Sequence, residues 1–264
     1  MFNKNNIIEY QLTLKLLLYS ILIYKLDKNV YNELTNITLD ELFDKHNENL
    51  TSILKKYIIS KSKNDKILKF FYCDKTHIYC MLIEDKEKKH LKFIFKGSSD
   101  NIHLKYNIKI KLKNINFLNN NKIKIHTGFY QQIFQGKLYQ KIIEYLNDMN
   151  LDNYMFFYSG HSLGGVMATL FGYFMSYLYH KNKIIITSFG GSKIGNNFFK
   201  ESFENKKNII CYRFINDNDF ITQLPIINYE HVGIEIKLKS NNNINLLEDH
   251  SYNTYLYNLL EDRW

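Results

Sequence analysis

The chain has 264 residues, 45% of them hydrophobic and 23% charged, with a formal net charge of +9. That balance excludes a disordered polymer and fits one sizeable folded core. The positive charge does not make a nucleic-acid binder, because the lysines are scattered and arginine occurs only at Arg213 and Arg263; no nucleic-acid partner is expected.

Residues 12–26, LTLKLLLYSILIYKL, form an apolar run interrupted by Lys15, with no small-residue cleavage site after Ile23. The run is too short to span a bilayer, so it reads as a buried core helix rather than a signal peptide and favours an intracellular chain. The tripeptides at Asn36–Thr38 and Asn49–Thr51 would be glycan acceptors only in a secretory route. Thr38 and Glu41 stand three apart, as in a capping box. Apolar residues then recur at Leu42, Phe43, Leu50, Ile53, Leu54, Tyr57 and Ile58, the spacing of an amphipathic helix. Residues 1–60 are therefore expected to supply N-terminal helices that pack on the remainder of the chain.

Two β-rich runs, ILKFFYC from residue 67 and HIYCMLI from 77, flank a turn at 74–76, and LKFIF at 91–95 forms a strand leading into KGSSD. IKIKLK at 108–113 alternates as a half-exposed extended segment. Between Phe129 and Met149 apolar positions recur at helical spacing. YMFFYS is a continuous apolar run bounded by Gly160, and a helix-length stretch follows from Leu163 to Tyr179. KIIITSFG, NIICYRFI and VGIEIKL are further strands, and HSYNTYLYNLL reads as a C-terminal helix. Strands buried on both faces and alternating with helices imply a mainly parallel sheet in an α/β fold, and no linker divides residues 1–264. Cys73, Cys80 and Cys211 lack metal-ligand spacing and read as buried thiols, with a Cys73–Cys80 disulfide as the alternative. No metal or other cofactor is implied.

The stretch FYSGHSLGGV, residues 157–166, places Gly160, Ser162 and Gly164 in a G-x-S-x-G pattern between a strand and a helix. A serine hydroxyl is a weak nucleophile and must be presented clear of the sheet, near a base and oxyanion donors. The helix beginning at Leu163 aims its N-terminus at the site, making the Leu163 N–H one donor. FKGSSD, residues 95–100, follows an earlier strand and offers Ser98 as the second, with Gly97 allowing close approach. In the fold implied by the resemblance given below, the acid and then the base follow the serine in the chain. That order leaves Asp217 or Asp219 for the acid and His231 or His250 for the base. His161 precedes the nucleophile in the strained turn and is expected to pack away from substrate; His126 reads as structural.

Five segments in order, FKGSSD, HTGFY at 126–130, GHSLGG, TSFGGSKIGNNFF at 187–199 and NDNDFITQLP at 216–225, resemble motifs of the class 3 lipases, typified by fungal triacylglycerol lipases. The resemblance spans about residues 91–255 and implies an α/β-hydrolase fold with a triad of Ser162, Asp219 and His250. In that family the acid lies six residues before the proline of a Leu-Pro pair, which lands on Asp219; His250 resembles the catalytic histidine, and His231 a structural His-Val-Gly. The implied activity is two-step acyl transfer from a lipid ester met at a transient lipid interface, a triacylglycerol first. A phospholipid or simple carboxylic ester is the alternative on the same fold, and a silent lipid-binding homologue the alternative to catalysis. The family also carries a lid after the oxyanion loop, expected here within residues 99–107. Leu104 and Asn107 stand there in place of an aromatic residue and an aspartate, and Ser192 and Lys193 replace the family's Pro and Arg.

Overall fold

In the computed structural model the described residues are 7–27, 29, 31, 33–45, 52–98, 111–115, 118, 120–239 and 246–261. The strands are β1 (Ile37–Thr38), β2 (Asp65–Cys73), β3 (Ile78–Asp85), β4 (His90–Phe95), β5 (Leu112–Asn114), β6 (Lys124–His126), β7 (Met155–His161), β8 (Ile184–Phe189), β9 (Ile209–Asn216) and β10 (Ile234–Leu238). The helices are α1 (Ile7–Lys25), α2 (Leu39–Lys45), α3 (Ser52–Lys61), α4 (Thr127–Phe134), α5 (Leu138–Asn147), α6 (Leu163–Leu178), α7 (Asn197–Glu204), α8 (Leu246–Asp249) and α9 (Tyr252–Glu261).

Eight strands form one sheet in the order β1-β2-β3-β4-β7-β8-β9-β10, and β5 pairs with β6 in a separate ribbon. The pairings from β4 through β10 are parallel, those from β1 to β4 antiparallel. The antiparallel half follows from the short turns after Cys73 and Asp85, which can join only antiparallel neighbours. Covered on both faces, the sheet alternates its side chains between two cores. In β7, Phe156 and Tyr158 enter the core under α4–α7, whereas Phe157 enters the core under α1–α3 and α9. In β2 a bulge between Ile67 and Lys69 shifts that alternation by one, so Leu68 and Phe71 share one core while Ile67 and Phe70 share the other.

The Thr38–Glu41 capping box forms reciprocally: the Thr38 N–H donates to Glu41 Oε2 at 2.7 Å and the Glu41 N–H to Thr38 Oγ1 at 3.2 Å. The amphipathic run it opens is seen as α2 and α3, with residues 46–51 outside the described residues. The helical spacing between Phe129 and Met149 is realised as two helices, not one. The chain breaks at Gly136, where a Cβ would stand 2.0 Å from Cys73 Sγ, and Lys137 takes a left-handed φ of 56°. All three cysteines are free and buried; Cys80 pairs with Phe71 and Cys73 with Ile78, so the thiols are not directly opposed. The candidate lid at 99–107 lies outside the described residues. Among the described residues no helix is long and apolar enough to cross a membrane.

The apolar run at 12–26 is α1, and its inner face is buried from Leu14 to Ile23. Lys15, which interrupts that run, reaches Asp65 at 2.8 Å, and Lys92 of β4, 1% exposed, reaches the other carboxylate oxygen at 2.5 Å. The Tyr19 hydroxyl also donates to Asp65. Burial would raise the Asp65 pKa, but Lys92 and Lys15 hold it below the usual aspartate value. Asp65→Asn strands two cations and is expected to lower stability by about 3 kcal/mol in urea denaturation. Acid should act in the same direction: the contribution is complete above about pH 4, where an unfolded aspartate ionises, and is lost as pH falls through the depressed native value. A variant as stable as the parent would show that the cluster contributes nothing.

Candidate active site

β7 ends at His161 and α6 begins at Leu163, which leaves Ser162 alone at the turn with φ 58° and ψ −126°. Few non-glycine residues adopt positive φ, and the turn is possible only because its flanks lack side chains. A Cβ on Gly160 would stand 2.3 Å from the Gly164 carbonyl carbon, and one on Gly164 would stand 2.3 Å from Phe95 O at the end of β4. The Ser162 N–H is anchored to the neighbouring strand, donating to the Phe189 carbonyl at the end of β8 at 2.8 Å. The hydroxyl is thus lifted clear of the sheet at the N-terminus of a 16-residue helix.

Beyond β9 the chain turns at Asn216 and presents Asp219, 2% exposed. Its carboxylate accepts from His250 Nδ1 at 2.8 and 3.0 Å, from the Tyr255 hydroxyl at 2.6 Å and from the Ile221 N–H at 3.1 Å. Because Nδ1–H donates to the carboxylate, Nε2 of His250 is the acceptor, and the Ser162 hydroxyl lies 2.8 Å from it. Asn216 stitches the two loops together. Its Nδ2 donates to Asp249 O at 2.7 Å, its Oδ1 accepts from Asn258 at 2.9 Å, and its N–H donates to Tyr255 at 3.2 Å.

Ser162, Leu163 and Ser98 line one cavity of about 840 Å³, together with Leu112, Phe129 and Leu224. Ser98 is exposed just past β4 and lines this cavity with Ser162 and Leu163. His126 lines the same cavity and caps α4, its Nδ1 accepting from the Gly128 N–H at 3.0 Å and the Phe129 N–H at 3.4 Å.

The competing candidates lie elsewhere. Asp217 is exposed beside Glu235 and Lys237, in a cleft that Asp219 also borders, but it is the Asp219 carboxylate that meets His250. His231 lies by Arg213, Ser188 and Ser192, where burial and the guanidinium push its pKa down to about 3. His161 is buried, with Nε2 2.8 Å from His250 O and Nδ1 3.2 Å from the Tyr24 hydroxyl; burial first, then the His250 charge, push its pKa down to about 3. Tyr255 and Tyr24 are site contacts that sequence reasoning missed. Both sit on helices whose apolar periodicity accounts for an aromatic residue without further function. Among the described residues no group of His, Cys, Asp and Glu could hold a metal ion.

The family model for lipases of class 3 matches residues 92–229, more than half of the chain. Toxin TseL of Vibrio cholerae serotype O1 is 31% identical over 104 residues, 39% of this chain and 15% of that protein. The chloroplastic phospholipase A(1) DAD1 of Arabidopsis thaliana is 35% identical over 68 residues, 25% of this chain and 15% of that protein. The chain thus spans a small part of the length of either relative. A fungal lipase–inhibitor complex superposes with a TM-score of 0.69 and 19% identity, covering 88% of this chain and 81% of that one. At that identity the likeness speaks for the fold, which is the expected α/β-hydrolase fold.

The turn geometry carries its own test. Gly160→Ala, a single added methyl against backbone, is expected to lower stability by at least about 2 kcal/mol, read as a drop in the thermal midpoint. An unchanged midpoint would show that the turn has room the geometry denies.

Proposed function

The chain belongs to the class 3 lipases, and from that membership we propose that it is a serine acyl hydrolase cleaving carboxylic esters of lipids, triacylglycerols first. One observation carries the reading: the hydrogen-bond chain from Asp219 through His250 to Ser162 Oγ, opening on a cavity with apolar walls. In this reading His250 Nε2 takes the Ser162 proton as Oγ attacks the ester carbonyl, and Asp219 holds the ring and its developing charge. The Leu163 N–H and Ser98 receive the oxyanion. His250 returns the proton to the leaving alkoxide, and water then repeats the sequence on the acyl-enzyme to release the fatty acid.

Association with a lipid surface is supported by Ile226 and Ile227 at the cavity rim, 65% and 76% exposed. Aliphatic side chains that exposed beside an apolar cavity gain by entering a lipid layer. Lys111, exposed at the same rim, favours a second reading in which the ester belongs to an anionic phospholipid. The similarity to a protein named as a phospholipase A(1) supports the same alternative.

Ser162→Ala is expected to lower turnover of p-nitrophenyl butyrate by at least about a thousandfold while the protein stays folded. Retained activity would remove Ser162 from the chemistry. Rates on a triolein emulsion and on phosphatidylglycerol vesicles decide between the two substrate readings. Ile226→Asp with Ile227→Asp is expected to lower emulsion hydrolysis at least about tenfold more than soluble-ester hydrolysis. An equal fall in both assays would place these residues in the pocket wall and not at an interface.

A further inference from the structure

Tyr24 lies in the last turn of α1, outside the 92–229 segment that matches the family, yet it meets three parts of the site. Its hydroxyl stands 3.2 Å from His161 Nδ1 and 3.3 Å from His161 O, and it lies against Gly97 just past β4. Gly97 permits that approach because any Cβ there would fall 1.8 Å from the Tyr24 oxygen. On its other side His161 Nε2 is 2.8 Å from the carbonyl of His250. A carbonyl only accepts, so Nε2 carries the hydrogen, and the single Tyr24 hydroxyl hydrogen is shared between two acceptors of one residue, His161 Nδ1 and His161 O. The hydrogen-bond order is thus fixed from Tyr24 through His161 to the backbone of His250.

We propose that Tyr24 is a positioning residue of the acyl-transfer centre: it holds His161 as the Nε2–H tautomer, seats the backbone of His250, and ties both to the strand end that carries Ser98. The role rests on the hydrolase reading above. Three observations support it. Tyr24 keeps its proton, since burial raises its pKa well above the ordinary phenol value. His161 stays neutral in its buried place among Tyr24, His250, Tyr252 and Tyr255. The two imidazole rings are 5.2 Å apart, so a charged His161 would oppose the imidazolium that His250 must carry in the transition state. A neutral, tautomerically fixed His161 removes that opposition while still holding the loop.

Tyr24→Phe deletes only the hydroxyl. On p-nitrophenyl butyrate its kcat is expected to fall about tenfold with KM within about twofold. Tyr31→Phe, a buried control whose hydroxyl bonds Leu26 O at 3.4 Å, is expected to keep kcat. A second readout needs no turnover: in Ser162→Ala protein the ¹⁵N signals of His161 should show the Nε2–H tautomer without titration from about pH 5 to 9, and Tyr24→Phe should mix the tautomers. An unchanged kcat in Tyr24→Phe, a loss accounted for by unfolded protein alone, or His161 with its hydrogen on Nδ1 in the parent overturns the proposal. A parent without esterase activity would sink the hydrolase reading instead, and the His161 signals would still decide the hydrogen-bond order.

Discussion

Ser162 sits at φ 58° and ψ −126°, a backbone state that costs a non-glycine residue about 1–3 kcal/mol, and the rest of the site depends on the chain being held there. The restraint comes from both directions. Upstream, β7 is locked between β4 and β8 by parallel pairing on each side. Downstream, every α6 residue from Leu163 to Ser176 is buried, so the helix cannot shift to relax the turn. A serine on a loop could reach a histidine by many paths. A serine between a central strand and a buried helix has one position, and Asp219 and His250 have to be brought to it.

That difference explains what the sequence made legible. Gly160 is dictated by sterics within five residues, against Gly164, and such a local constraint is written in residue type, whereas Gly164 is kept small by Phe95 O on a neighbouring strand. Chain order narrowed the acid and base to two candidates each; family spacing selected Asp219 and resemblance to the family's catalytic histidine selected His250, and the two are hydrogen-bonded. The support around them is non-local. Asn216 contacts Asp249 and Asn258, more than thirty residues away, and nothing in a pattern of hydrophobic and polar residues marks such a pair. The small residue at the Gly136 break escaped the helical periodicity for a related reason: the space there is closed by Cys73 on a distant strand. The parallel half of the sheet was legible in its continuous apolar runs; the expectation of a mainly parallel sheet did not single out the antiparallel pairings from β1 to β4.

Environment, not residue type, separates the histidines. Burial pushes the pKa of both His161 and His231 down to about 3, helped at His231 by the Arg213 guanidinium. His250 keeps a carboxylate on Nδ1 and a hydroxyl on Nε2, and its side chain is 18% exposed. Only that arrangement lets an imidazole accept a proton and have the resulting charge compensated. A sequence lists these residues as equals; their partners assign them.

The segment that matches the family, residues 92–229, contains Ser162 and Asp219 but neither His250 nor Tyr24 nor Tyr255. These three come from the two flanking parts of the chain, which also pack on each other: Tyr24 lies 5.1 Å from Tyr252 between ring centres, and Tyr10 bonds Leu259 O. The flanks thus form one layer on the α1 side of the sheet, with Asp65, Lys15 and Lys92 fixing α1 at its middle. Seating α1 against the sheet and placing the proposed base over Ser162 are therefore coupled. Perturbing that layer should loosen the hydrogen-bond chain before it unfolds the central strands, because the nucleophile is held by the parallel half of the sheet and the base by the helices laid across it.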